Sequence, residues 1–376
     1  MIPIQSLLAH PESAKPAHVK SSANSALRII TLDRPNARNA IDSTMTSTLA
    51  TTIAHVARDP NAYAIVLRSG TPGMFCAGGD VREMAHLAAT EPDAARHALT
   101  AEYKLVWLLE CFSKPVVSLI DGAVMGAGAG MTLVNTHRVA GERYAFAMPE
   151  VRLGFFPDDG IASVLGRMPG EIGVFLGLTG RSIGRDDAYA LGLVTHCIDA
   201  RHFPDLERGL ADAEPVDPLL DGLHIAPQAS PLEAHKEQIA HCFSAPTVPE
   251  IVARLSSRRD RRGRDPEVAW LQNVLDDLAR ACPLALAIAL RHIRDSRSTD
   301  LRQTLTLDYR LGRRLIGSHN FQEGVRALII EKNRAPVWRP TTSGDITTTQ
   351  IENLFHTDPA DELNLLTRVE MQGARV

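Results

Sequence analysis

The sequence predicts an α/β fold that gives way to a helical C-terminal region, and three observations carry that reading. Ala26 to Leu32 and Ala62 to Arg68 are short β-like runs flanking a helical pattern, so the first unit is strand, helix, strand. Twice a strand then passes through small residues into a helix, once after Arg68 and once after Asp121. From Pro231 to about Asn333 the apolar periodicity is almost purely helical.

Taken in order, the first twenty-five residues are rich in Ala, Ser and Pro and read as a loose tail. After ALRIITL comes a turn cluster, Asp33 to Asn36. Asp42 or Ser43 can cap a helix running to about Arg58, with Met45, Leu49, Ile53 and Val56 on one face. In Ser69 to Asp80 the Gly and Pro residues argue against a regular element, and Asp80 is placed to cap the next helix. Pro92 to Phe112 is a long helical pattern. A buried strand, Pro115 to Asp121, leads through the loop Gly122 to Gly130 into a helix from about Gly128 to His137. A strand ends at Met148-Pro149-Glu150, followed by the acidic turn Pro157-Asp158-Asp159-Gly160. Two short helices split at Met168 to Gly170 lead to a strand, Leu193 to Ile198. Asp199 to Pro231, rich in Pro and acids, reads as a boundary. The division is therefore a tail (1–25), a core (26–200), a helical region (201–340) and a polar tail with a short helix (341–376).

The formal charge of -4 gives no global attraction to nucleic acid or acidic membrane. Arg258 to Arg264 is a dense basic run without interleaved aromatics and reads as a solvated loop. No apolar run approaches the roughly eighteen residues that span a bilayer. The five cysteines are scattered, with no C-x-x-C pair, so neither a disulfide framework nor a metal site is implied. Free thiols and the absence of a persuasive leader point to a cytoplasmic setting.

Three readings of Pro115 to Gly160 compete. Gly126-Ala127-Gly128-Ala129-Gly130 between strand and helix suggests a dinucleotide site, but the spacing is G-x-G-x-G and Pro149 sits awkwardly at the end of a second parallel strand. A purely structural reading makes the glycines packing devices and the acids caps or solvated groups. That suits Asp159, since adjacent acids at a turn usually include a solvated one. It suits Glu150 less well, because that carboxyl stands among apolar neighbours where burial raises its pKa. The third reading joins the two small-residue loops with the carboxylates, as a site that polarises a carbonyl.

The residues also carry a resemblance. FCAGGD (Phe75 to Asp80), MGAGAG (Met125 to Gly130) and AMPEVRLGFFPD (Ala147 to Asp158) resemble signature segments of the enoyl-CoA hydratase/isomerase, or crotonase, superfamily. Together with LTGRSIGRDDAYALGLVTH (Leu178 to His196), CFSAPTVPEIVARL (Cys242 to Leu255) and the segments between Leu301 and Pro340, they resemble its 3-hydroxyisobutyryl-CoA hydrolase family most. The resemblance implies a crotonase-type spiral of ββα units with a helical C-terminal region over an acyl-CoA site. It implies an oxyanion hole from the N–H groups of Ala77 and Ala127, the latter standing where the family commonly has Gly. Glu150 and Asp158 become the catalytic carboxyls, with Glu150 either attacking the thioester or activating water. Glu102, Gly78, Gly79, Asp80, Asn39 and Ala40 become substrate-binding residues, the CoA lying along backbone from Asn36 to Ala40 with Lys332 near its phosphates. Hydratases of this pattern carry a second glutamate at the position of Gly130, so its absence favours hydrolysis over hydration. No cofactor, metal, membrane or nucleic acid is implied; the partners are an acyl-CoA substrate and other copies of the chain, as a trimer or hexamer.

Overall fold

The computed structural model describes residues 18–261, 266–357 and 362–373. Its strands divide between two sheets. In one, the order is β1 (Val19–Asn24), β2 (Leu27–Leu32), β3 (Ala64–Ser69), β5 (Val116–Ile120), β7 (His137–Ala140), β10 (His196–Cys197). In the other it is β4 (Gly73–Cys76), β6 (Gly122–Met125), β8 (Ala145–Ala147), β9 (Ile183–Gly184). The pairs β3–β4, β5–β6 and β7–β8 each give one strand to each sheet before the chain turns helical. Successive turns stack parallel on one another, which is a spiral of ββα units as the resemblance implies.

Local sequence explains the elements. β5, VVSLI, is buried along its whole length because a central parallel strand is covered on both faces. Helix α1 (Ser43–Arg58) starts where Asp42 accepts from Met45 N–H at 2.8 Å, and buries Met45, Leu49, Ile53 and Val56. α2 (Val81–Thr90) is capped by Asp80, whose carboxyl accepts from Arg82 and Glu83 N–H. α3 (Pro92–Glu110), α4 (Ala127–Leu133), α5 (Ile161–Arg167), α6 (Ile172–Thr179) and α7 (Arg185–Ala190) follow in the spiral, and α8 (Phe203–Ala211) and α9 (Val216–Asp221) close it. The C-terminal region contains α10 (Lys236–Phe243), α11 (Val248–Arg261), α12 (Pro266–Arg280), α13 (Pro283–Asp295), α14 (Leu301–Leu315) and α15 (His319–Val325), then α16 (Thr348–Phe355) and α17 (Arg368–Gly373).

Several expectations are corrected. Part of the supposed loose tail, Val19–Asn24, is the edge strand β1, held by its antiparallel ladder to β2 although only Val19 is buried; residues 1–17 lie outside the described set. Gly73–Cys76, in the stretch thought irregular, is β4. It pairs with β6, where a β-carbon on Gly122 would lie 2.4 Å from Gly73 C, so only glycine permits the approach. Gly122 to Gly130 is not a loop but strand, one turn residue and helix, and that helix ends at Leu133 to release β7. The Pro- and acid-rich stretch from Asp199 holds α8 and α9. Their Leu206, Leu210, Val216 and Leu220 cover the outer face of the larger sheet in a second core, so it is integral to the spiral. The polar tail is also anchored: Leu363 and Leu365 are buried, and Trp107 Nε1 donates to Leu366 O at 2.7 Å. Of the basic run, residues 262–264 lie outside the described set.

Candidate active site

A cleft opens where the second sheet's strand ends meet α3 and the C-terminal helices. Its walls include the loop after β4, the β6–α4 turn, the acidic turn after β8, and Ile316 and Phe321 from the C-terminal region. Its cavity volume is about 100 Å³.

Two backbone amides face this space without acceptors in the fold. Gly126 takes φ 47, ψ -129 and turns the chain out of β6, leaving Ala127 as the first helical residue, where no intrahelical acceptor exists for its N–H. Ala127 thus has the negative φ that a non-glycine donor there requires. The other donor differs from the expected one. Ala77 N–H donates to Arg38 O at 3.1 Å and is engaged in the fold. Gly78, at φ 100, reverses the chain, its carbonyl accepting from Ile41 N–H. Gly79 N–H is left with no acceptor among the described residues, and both it and Ala127 line the cleft. The sequence reading missed Gly79 as a donor because the bond that uses up Ala77's N–H runs to Arg38 O in a distant turn, which no local pattern reveals.

The acids meet these amides. Glu150 begins a 3₁₀ turn (Glu150–Leu153) after Pro149, is 8% exposed, and has Oε1 3.1 Å from where a β-carbon on Gly126 would stand. Its Oε2 is enclosed and unpartnered, and burial pushes its pKa up to about 8. Asp158 Oδ2 accepts from Tyr103 O–H at 2.6 Å; burial, with Glu102 and Asp308 nearby, holds its carboxyl well above the usual range. Glu102 on α3 reaches the same point: its Oε1 lies 3.0 Å from where a β-carbon on Gly79 would stand. Burial, aided by the charge of Glu83, pushes Glu102 to about 7.

Asp159 reverses expectation, being 2% exposed rather than solvated, and it lines the cleft. Its signal in the sequence was Gly130, since a β-carbon there would lie 2.4 Å from Asp159 Cβ. Tyr103 was also missed; only its helical register with Leu99 and Val106 hinted at an inward face. Other predicted residues stand apart. Asn39 is wholly buried, fastening its turn through Phe75 O, Ser69 Oγ and Arg34 N–H, and neither it nor Ala40 lines the cleft. Asp80 does line it, but its carboxyl caps α2 and pairs with Arg34 at 2.7 Å. Lys332 is exposed and outside the lining.

The carboxyl loop is held by the C-terminal helices. Cys282 N–H, at the start of α13, donates to Val151 O at 2.9 Å, and a β-carbon on Gly324 in α15 would lie 2.3 Å from Leu153 O. Behind it, Asp308 on α14 accepts from Gly160 N–H at 2.7 Å and pairs with the buried His292 at 2.5 Å. The enclosure that perturbs the acids is thus supplied by the chain beyond the spiral.

A family model described as enoyl-CoA hydratase/isomerase matches residues 27–355. The Gallus gallus protein named 3-hydroxyisobutyryl-CoA hydrolase, mitochondrial, is 32% identical over 94% of this chain and 93% of its own. The small ribosomal subunit protein mS47 of Neurospora crassa is 31% identical over 93% of this chain and 73% of its own. A crystal structure described as a carnitinyl-CoA dehydratase from Mycobacterium thermoresistibile superposes with a TM-score of 0.85 at 31% identity, covering 93% of this chain and 98% of that one. The cytoplasmic expectation is overturned by the mitochondrial setting in the Gallus gallus protein's name. Scattered free cysteines are equally at home in any reducing compartment.

Proposed function

The chain belongs to the enoyl-CoA hydratase/isomerase family, and from that premise we propose that it hydrolyses the thioester of a short 3-hydroxyacyl-CoA, with 3-hydroxyisobutyryl-CoA as the candidate substrate. The observation that carries this is Glu150: a buried carboxyl with one oxygen unpartnered, set beside Gly126 at the point where the free amides of Gly79 and Ala127 open into the cleft. The relative named as such a hydrolase supports the acyl class.

In the proposed mechanism the thioester carbonyl oxygen accepts from Gly79 and Ala127 N–H. Both donors are fixed before the reaction, so they stabilise the oxyanion without reorganisation; losing one such donor typically costs about 10²- to 10³-fold in rate. α4 has only two turns, so these amides contribute more than any helix dipole. Ionised Glu150 either adds to the carbonyl carbon, the C–S bond breaking to release CoA and water then cleaving the mixed anhydride to free the acid and restore Glu150, or takes a proton from the water that adds and passes it to the departing sulfur as the C–S bond breaks. Asp158, held by Tyr103, receives the acyl group's 3-hydroxyl. The reaction as written uses only groups of the chain and water.

The test is thiol release from 3-hydroxyisobutyryl-CoA by the purified chain, with Glu150→Ala and Asp158→Ala lowering turnover by at least about 10². CoA binding without thiol release would instead favour a non-catalytic role. Retention of Glu150 in a desolvated, unpartnered state argues against that role, since a scaffold gains nothing from it.

A further inference from the structure

We infer that Asp308 and His292 act together as positioning residues: they hold the acidic turn of the cleft and set Asp158 to meet the C3 oxygen of the acyl group as a hydrogen-bond donor. Neither residue lines the cleft. The inference rests on the acyl-thioester reading of the cleft, but not on thiol release being its reaction.

The pair stands directly behind the turn. Asp308, on α14, and His292, on α13, are both 0% exposed, although ionisable side chains are seldom left wholly without water. Asp308 Oδ2 accepts from Gly160 N–H at 2.7 Å, so one bond ties α14 to the residue that follows Asp158 and Asp159. Its Oδ1 meets His292 Nε2 at 2.5 Å. The far ring nitrogen, Nδ1, faces Ser296 Oγ at 3.4 Å, and that buried hydroxyl has no other acceptor among the described residues. The serine proton therefore goes to Nδ1, which leaves the ring proton on Nε2, pointing at Asp308. Two N–H groups thus converge on the two oxygens of one carboxyl, an arrangement that favours its ionised form.

Asp158 is bonded in the opposite sense. Tyr103 O–H donates to its Oδ2 and has no other acceptor among the described residues. Burial, with Asp158, Asp308 and Asp159 nearby, keeps the phenol's own proton in place. Oδ2 is therefore occupied as an acceptor, and a proton on Asp158 sits on Oδ1. That oxygen takes no hydrogen bond from a described residue, and its side chain lines the cleft. The ionisable groups around the two acids are Tyr103 and Glu102 on α3, Glu150 and Asp159 beside the turn, and His292 behind it. None of them is a fixed cation, so a second negative charge here is repelled by the first. Asp308 takes that first charge: burial raises its carboxyl, but His292 and Gly160 pull it back. Burial, with Glu102, Asp308 and Glu150, then holds Asp158 well above its usual range.

The two forms of Asp158 select different ligands. Protonated, it offers Oδ1–H to any oxygen on C3, whether hydroxyl or carbonyl. Ionised, it can only accept, so a hydroxyl still binds while a carbonyl oxygen is repelled. The proton stays on Asp158 throughout, and no bond to carbon changes. Removing the charge of Asp308 lets Asp158 ionise at lower pH, and the cleft then discriminates against a C3 carbonyl. Environments that push neighbouring acids apart in this way assign each its form.

The experiment compares binding of 3-hydroxybutyryl-CoA and 3-oxobutyryl-CoA to the full chain by calorimetry between pH 6 and 9, with thiol release from 3-hydroxyisobutyryl-CoA followed alongside. The native chain should bind both ligands at neutral pH. Asp308→Asn keeps an acceptor for Gly160 N–H and removes only the charge. In this variant affinity for the 3-oxo ligand should fall at least about tenfold, and that for the 3-hydroxy ligand less than about threefold. The pH at which 3-oxo binding weakens should move down by about one unit. His292→Leu, which deprives Asp308 of its donor, should act in the same direction, and His292→Gln, whose amide can donate, should restore the native ratio. A loosened fold would weaken both ligands alike. Should the variants not fold, the native chain alone must lose 3-oxo but not 3-hydroxy affinity as pH rises. No 3-oxo binding by the native chain, an unchanged ratio in Asp308→Asn, or equal loss of both ligands overturns the inference; thiol release in that case leaves the hydrolase reading intact. Selective loss of 3-oxo binding without any thiol release sustains the inference and overturns the hydrolase reading.

Discussion

Replacing Glu150 by Gln should stabilise the protein by an amount that depends on pH while abolishing its chemistry. Burial pushes this carboxyl from 4.5 to about 8. Between those values the unfolded chain has released a proton that the folded chain keeps. The folded state binds more protons there, and stability falls as pH rises until the folded group itself ionises. At pH 7 the unfolded chain's advantage spans 2.5 units above 4.5, about 3.4 kcal/mol at ~1.36 kcal/mol per unit; at pH 5 it is only about 0.8 kcal/mol. Glutamine does not titrate and escapes this, but its amide inherits the unpartnered place of Oε2 at a cost of about 1–2 kcal/mol. The expected net gain is about 1–3 kcal/mol at pH 7 and nothing or a slight loss at pH 5. Urea unfolding of both proteins across pH 5 to 8 measures it directly. A gain that is constant across this range, or larger at pH 5, would show that Glu150 is not a desolvated acid and refute the reasoning.

The same shift sets the rate profile: if ionised Glu150 is the working form, kcat/KM for thiol release rises about tenfold per pH unit up to about 8 and then levels; a flat profile from pH 6 to 9 contradicts it. Tyr103→Phe removes the 2.6 Å donor to Asp158 and should cost about tenfold in kcat/KM, read from steady-state rates with the overall fold unchanged by circular dichroism. Gly130→Glu should fail to restore a hydratase-like pair and lower the unfolding free energy by at least about 2 kcal/mol, because its β-carbon lands on Asp159. Asp80→Ala loses the α2 cap and the Arg34 partner, for about 1–2 kcal/mol in chemical denaturation.

The sequence carried the spiral wherever local chemistry decided structure. Asp42 and Asp80 cap helices, VVSLI makes a central strand, and α1 shows its buried face as a spacing. It concealed elements that exist only through partners. β1 is polar and stands because β2 pairs with it, while β4 looks irregular because it opens on Gly73 at a positive φ and is held by the close approach that Gly122 of β6 permits. The site followed the same division. Glu150 was legible as an acid in apolar surroundings, whereas Asp158 and Ala127 were marked only by the family resemblance. The true donor beside Ala127 was not, since whether Ala77 or Gly79 keeps a free N–H depends on Arg38 O, about forty positions away. Asp159 was misread because solvation of adjacent acids is a statistical habit of turns, and α14 and α15, far along the chain, exclude the water here.

That late enclosure has a consequence in time. A ribosome delivers the spiral first, so its sheets and both amides can assemble while Glu150, Asp158 and Asp159 still face water. Only after the segment around Asp308 and Gly324 has emerged and docked do these acids lose their hydration, and with it their ordinary acidity. A nascent or C-terminally clipped chain would thus hold every reacting group with its acids hydrated and of ordinary acidity, the enclosure that perturbs them arriving only with the later helices.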